Sequence, residues 1–177
     1  MIGVLVSGEG TNLQALIDAG LPIAAVASNR VDAGALARAD EAAIPNRVFE
    51  LDAYSDRAAR DRELADWLQL RGVDLVVLAG YMQLLTPVFL DRFRDRIVNV
   101  HPSLLPQFPG ARAIADALAA GVDTTGVTVH YVDEGLDTGA VIRQEPVAVE
   151  PRATLIERIH AVEHRILPEV VRELCAH

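Results

Sequence analysis

The chain opens on an apolar run, Ile2 to Val6, which breaks at Ser7-Gly8-Glu9-Gly10-Thr11-Asn12 and resumes at helical spacing with Leu13, Leu16 and Ile17 before Gly20. That change of period predicts a strand, a loop and a helix. Ile23 to Ala27 predicts a second strand, Ala33 to Ala43 an alanine-rich helix ended by Ile44-Pro45, and Val48-Phe49 the start of a short third strand. Ser55 is the expected cap of a helix that runs to Arg71, turns Leu64, Trp67 and Leu68 inward and is closed by Gly72. Leu75 to Ala79 is continuously apolar, as a strand buried on both faces requires. Thr86-Pro87 supplies a cap and a first-turn proline for a short helix. Ile97 to Val100 reads as another buried strand with one polar interruption, Asn99, and Pro102 forces it to end at His101.

A proline-rich loop to Gly110 leads into a helix stopped by Gly121. Val127, Val129 and Tyr131 then alternate with Thr128, His130 and Val132, the period of a half-exposed strand. The turn-rich segment from Asp133 to Gly139 is too short for a crossover helix, so the strand around Ala140 to Val147 is expected to pair antiparallel with its predecessor. Leu155, Ile159, Val162, Ile166, Val170 and Leu174 line one face of a last helix, in which Pro168 is expected to cause a kink. Alternating strands and helices predict an α/β fold: a Rossmann-like doubly wound, mostly parallel sheet with an antiparallel strand towards the C-terminal side.

Composition narrows the picture without changing it. With 177 residues, 51% hydrophobic and 23% charged, the chain is expected to form one domain with a full core. A net charge of −9 argues against extended contact with nucleic acid or an anionic membrane, so any anionic ligand must be held by local groups. Cys175 is the only cysteine, and no clustered Cys/His spacing suggests a metal site. The absence of a basic, apolar leader or an apolar stretch long enough to span a bilayer leads to the expectation of a cytoplasmic protein.

Two stretches carry candidate chemistry. A glycine loop between a strand and a helix aims backbone N–H groups and a helix dipole at a small phosphate, although the same residues also fit a tight turn with Thr11 or Asn12 as cap. Asn99 and His101, two apart at a strand's carboxyl end, fall on one face and along the edge where open α/β sheets bind ligands. An amide can donate to a developing oxyanion, and an imidazole can move a proton near neutral pH. A histidine before proline at a strand end is also commonly a plain loop residue.

Four motifs in order decide between these readings: Ser7-Gly8-Glu9-Gly10-Thr11-Asn12-Leu13-Gln14, Ala79-Gly80-Tyr81-Met82, Asn99-Val100-His101-Pro102-Ser103-Leu104-Leu105-Pro106 and Leu136-Asp137-Thr138-Gly139. From Val4 to Glu163-His164 the chain resembles the folate-dependent phosphoribosylglycinamide formyltransferases of purine synthesis. The resemblance implies one formyltransferase domain over residues 1–177, with the ribonucleotide held in the N-terminal part and folate and catalysis in the C-terminal part. It implies transfer of a formyl group from 10-formyltetrahydrofolate, as co-substrate, to the amine of glycinamide ribonucleotide. No metal is implied, the partners are small molecules, and the state is a monomer or homodimer.

Residue by residue, the resemblance makes Asn99, His101 and Asp137 catalytic, with Asp137 orienting the imidazole. Gly10, Thr11 and Asn12 would hold the ribonucleotide's phosphate, and Glu163 would grip the ribonucleotide elsewhere. Arg57, Met82, Gln83, Leu84, Leu85, Asn99, Val132, Asp133, Glu134 and Asp137 would contact folate, the Val132 to Asp137 loop through its backbone. Without the resemblance Met82 and Leu85 would read as core, Arg57 as an ordinary surface residue and Glu163 as an exposed helix glutamate.

Glu9 stands where the family commonly has a small or neutral residue, Gln83 replaces an arginine many members carry, and the chain ends at His177 where many members continue, which would leave the core edge or the ribonucleotide site less covered. A formyltetrahydrofolate hydrolase would share Asn99, His101 and Asp137 but pass the formyl group to water. A binding module with a decayed site is the non-enzymatic alternative, and joint retention of those three residues speaks against it.

Overall fold

Strand β1 (Ile2–Val6) is buried at every position, as its unbroken apolar sequence requires. The computed structural model describes residues 1–176, so His177, the last residue of the expected domain, lies outside them. The chain divides into two compact units, Met1–Val98 and the remainder from Asn99.

In the first unit β1 is followed by α1 (Thr11–Asp18), β2 (Ile23–Ser28), α2 (Gly34–Glu41), β3 (Asn46–Val48), α3 (Arg57–Gln69), β4 (Leu75–Leu78) and α4 (Pro87–Leu90). The strands lie in the order β3-β2-β1-β4, all parallel, with Val4 opposite both Val26 and Val77. β3 starts two residues before the expected Val48, and Asn46, whose amide donates to the Asp40 carboxylate, sits inside it. The cap of α3 is Asp56 rather than Ser55: its carboxylate accepts from the Ala59 N–H at 2.7 Å, and a carboxylate suits the positive end of the helix dipole. Thr86 and Pro87 open α4 as expected.

The division falls inside β5 (Ile97–His101). Beyond it come α5 (Ala113–Ala120), closed by Gly121, then β6 (Thr124–Tyr131), β7 (Val141–Ala148) and α6 (Leu155–Cys175). The strands follow the order β5-β6-β7, and β6 pairs antiparallel with β7 from Thr124 opposite Ala148 to His130 opposite Val141. The architecture is thus α/β, parallel in the first unit, with the expected antiparallel pairing near the C-terminal end.

β6 differs from the expectation. It is buried on both faces from Thr125 to His130, not half exposed, because Thr128 and His130 are consumed by internal hydrogen bonds. On α6 the buried face takes in Leu155, Ile159, Ile166, Val170 and also Leu167, Val171 and Glu163, so that glutamate is not an exposed one. No helix among the described residues is long and apolar enough to cross a membrane.

Candidate active site

Four polar side chains of the second unit converge. Asn99 and His101 leave the end of β5, His130 leaves β6, and Asp137 lies in the turn between β6 and β7. His130 Nδ1 lies 2.7 Å from the Tyr131 carbonyl oxygen, which only accepts, so this nitrogen carries the proton. Its Nε2 then accepts from the Asn99 amide at 3.2 Å. Burial favours the neutral ring and pushes the His130 pKa below its ordinary value, against the opposing pull of the Tyr131 carbonyl and the Asp137 carboxylate.

His101 is fixed in the complementary way. Its Nε2–H donates to the Phe108 carbonyl at 2.8 Å, which leaves Nδ1 facing Asp137 Oδ2 at 3.5 Å. Asp137 Oδ1 stands 3.7 Å from His130 Nε2, so the carboxylate lies between the two imidazoles. The Gly110 N–H also donates to Asp137 Oδ2 at 2.8 Å. Asp137 has φ 54, a left-handed conformation that aspartate tolerates better than most residues. Gly139, two residues on, is pressed against the Tyr131 carbonyl, and a Cβ there would overlap it.

The loop after β5 is laced down by hydroxyls. Ser103 is fully buried and donates to the Gln107 and Phe108 carbonyls, at 2.5 and 3.2 Å. Thr128 Oγ1 donates to the Ser103 carbonyl at 2.7 Å and accepts from the Leu105 N–H and the Gln144 amide. Gln144 also donates to the Leu105 carbonyl at 2.7 Å. The Phe108 carbonyl that orients His101 is therefore itself held. Asp133 Oδ1 accepts from the Gly135 N–H and the Thr138 hydroxyl, which shapes the turn carrying Asp137. Val132 is half-buried there, and Asp133 and Glu134 are exposed. Glu163 is buried on α6.

Because His130 is buried neutral, the unfolded chain binds the extra proton first. Stability should then be fully present above about pH 6.5, the unperturbed histidine value, and fall as pH drops from there towards the lowered folded value. Thermal melts between pH 5 and 8 test this: His130→Gln, which keeps an acceptor and a donor, should flatten that part of the profile. An identical profile in the variant would show that His130 does not titrate with folding.

In the first unit, Gly10 caps α1 at φ 77, so neither Thr11 nor Asn12 is the cap, and the capping residue has no side chain to offer the helix's first N–H groups. A Cβ on Gly10 would lie 2.5 Å from the Ala35 Cβ, so only glycine fits. Arg38 Nε donates to the Glu9 carbonyl at 2.7 Å and steadies this turn. Glu9 is exposed, and its carboxylate lies beside Gly34, the first residue of α2. It thus lies beside the positive end of α2. Glu9→Asn should leave affinity for a ribonucleotide phosphate nearly unchanged by calorimetric titration. A gain of tenfold, about 1.4 kcal/mol, would mean that the carboxylate opposes the phosphate.

The remaining folate candidates surround the segment from Tyr81 to Thr86. Met82 and Leu84 are 63% and 55% exposed, so Met82 is not core, while Gln83 and Leu85 are half-buried. Arg57 Nη2 donates to the Leu84 carbonyl at 2.8 Å. Burial pushes the Tyr81 phenol up to about 12. Among the described residues no group of three or more His, Cys, Asp or Glu is arranged to hold a metal.

His130, Ser103, Thr128 and Gln144 are the site residues that sequence reasoning passed over. The one signal was polar residues at alternate positions of an otherwise apolar β6.

The formyl transferase family model matches residues 1–171. The phosphoribosylglycinamide formyltransferase of Haemophilus influenzae is 44% identical over 180 residues, covering 97% of this chain and 85% of the relative. That of Bacillus subtilis is 38% identical over 182 residues, covering 97% of this chain and 92% of the relative. The crystal structure of phosphoribosylglycinamide formyltransferase from Streptococcus pneumoniae superimposes with a TM-score of 0.93 at 41% identity, over 98% of this chain and 97% of that one. The chain belongs to the formyl transferase family.

Proposed function

We propose that this protein is a phosphoribosylglycinamide formyltransferase, which transfers a formyl group from 10-formyltetrahydrofolate to the amine of glycinamide ribonucleotide in purine biosynthesis. The observation that carries this reading is similarity over nearly the whole chain to enzymes of that name. Residues 1–177 act as one formyltransferase domain, cytoplasmic, with small molecules as partners and a monomer or homodimer as the working state.

The reaction forms a C–N bond between the amine and the formyl carbon and breaks the bond from that carbon to the folate nitrogen. Charge develops on the formyl oxygen between the two events, and a proton passes from the attacking to the leaving nitrogen. Asn99 has two amide protons; with one on His130 Nε2, the other is left for the formyl oxygen. Because the acceptor on His130 is fixed by its own Tyr131 bond, the amide needs no reorganisation as charge appears. His101 takes the proton at Nδ1, where Asp137 Oδ2 stabilises the imidazolium, and returns it to the leaving nitrogen, in part through water. Positioned acid–base groups contribute roughly 10²–10⁴-fold, and holding the two substrates in register supplies much of the rest. In the first unit, Gly10, Thr11 and Asn12 offer backbone donors to the ribonucleotide's phosphate, and Arg57 and Met82 to Leu85 meet the folate. In the second, Glu163 contacts the ribonucleotide, and the Val132 to Asp137 turn meets the folate through its backbone.

The test is a formyl-transfer assay with purified protein and both substrates, each omitted in turn. Tetrahydrofolate should form only when glycinamide ribonucleotide is present. Release of formate from formyltetrahydrofolate alone, at a comparable rate, would replace this reading with a hydrolase.

A further inference from the structure

We propose that Arg60 is a positioning residue for the folate: from inside the first unit it fixes the Met82 to Leu85 segment in the shape that receives the co-substrate. The inference rests on the formyltransferase reading and adds to it a residue that makes no contact with either substrate.

Arginine is rarely fully buried, yet Arg60 has no exposed surface. Such burial is tolerated only when every donor face is answered. Arg60 Nε and Nη2 both donate to Asp61 Oδ1, at 2.9 and 2.7 Å, and Nη1 donates to Gln83 Oε1 at 3.2 Å. Asp61, equally buried, spends its other oxygen on the Thr86 N–H at 2.7 Å. One neighbouring ion pair on α3 therefore grips the segment at Gln83 and at Thr86, and Arg57 adds the Leu84 carbonyl. The hydroxyls at the two ends contribute nothing to this grip: Tyr81 Oη and Thr86 Oγ1 are buried with no hydrogen-bond partner among the described residues. What the clamp achieves is visible in Met82 and Leu84, which are held largely out in solvent instead of collapsing inward. Apolar side chains kept in that position cost free energy in the empty protein and serve only a ligand with an apolar face. A flexible segment would have to be ordered at each binding event, and the guanidinium fork removes that cost in advance.

Because Arg60 acts through the segment, its loss should appear in folate binding and not in the chemical step. In Arg60→Met combined with Asp61→Asn the buried charges leave together, and the asparagine still accepts from Thr86. KM for 10-formyltetrahydrofolate should then rise about tenfold, with kcat and the KM for glycinamide ribonucleotide within about twofold. Arg60→Lys, which keeps the charge but not the fork, should lie between this variant and the wild type. Unchanged folate KM in a folded variant would overturn the inference. So would a parallel fall in kcat and both affinities, or failure of both variants to fold, since each assigns Arg60 to the core alone. Absence of formyl transfer by the wild type would instead remove the formyltransferase reading itself.

Discussion

Replacing His101 by alanine should lower kcat by at least about a hundredfold, the lower end of what a positioned acid–base group contributes, in a protein that remains folded. Stability survives because the loop does not depend on the imidazole. The Phe108 carbonyl loses the Nε2–H but keeps the Ser103 hydroxyl at 3.2 Å, so no buried acceptor is left unpaired. The remaining cost is a small cavity beside a strand end, about 1–3 kcal/mol on the scale of other buried truncations. Circular dichroism and a thermal melt establish folding, and single-turnover kinetics isolate the chemical step. A folded variant with near-normal single-turnover rate would remove His101 from the mechanism.

The second large effect is expected at Asp137. Asparagine suits the left-handed backbone at φ 54, and its oxygen can still accept from Gly110, so Asp137→Asn preserves the turn while removing the charge. The imidazolium that forms at His101 during proton transfer then has no counter-charge at 3.5 Å, and kcat should fall by about two orders of magnitude. KM for either substrate should change little, because the lost interaction belongs to the transition state. Asp137→Ala separates charge from geometry. It also strips the Gly110 N–H of its acceptor and puts at φ 54 a residue without the short polar side chain that eases this conformation, so it should melt lower than the asparagine variant. An asparagine variant as active as the wild type would show that the carboxylate's charge is not what the site uses.

Asn99 and His101 were legible because a polar residue in a β-branched run and a histidine before proline both break local rules. Asp137 was legible only through the motif it sits in, since nothing in the chain's periodicity brings residue 137 to residue 101. His130 was missed for a definite reason: alternation of Val127, Val129 and Tyr131 with polar residues is what a solvent-facing strand shows, and here the polar face is buried and satisfied internally. The Phe108 carbonyl left no trace in the sequence at all, because backbone groups are common to every residue. Arg60 and Met82 mislead in opposite directions, a buried cation and an exposed thioether, since side-chain type alone predicts the reverse burial for each. Ser55 was the expected cap, and Asp56 takes its place because its carboxylate is the group that reaches the Ala59 N–H.

The contact of Gly139 with the Tyr131 carbonyl has a bearing on how variant surveys of this protein should be interpreted. Scoring every single substitution by growth or activity would mark position 139 as intolerant as position 101, although glycine contributes no functional group. A Cβ there wedges the start of β7 away from the end of β6 and displaces the turn between them, Asp137 included. The two kinds of intolerance separate by abundance: alleles at 139 should deplete the folded protein, and alleles at 101 should accumulate as inactive protein. Maps that combine the two readouts would keep a purely steric requirement from being counted among the groups that perform the chemistry.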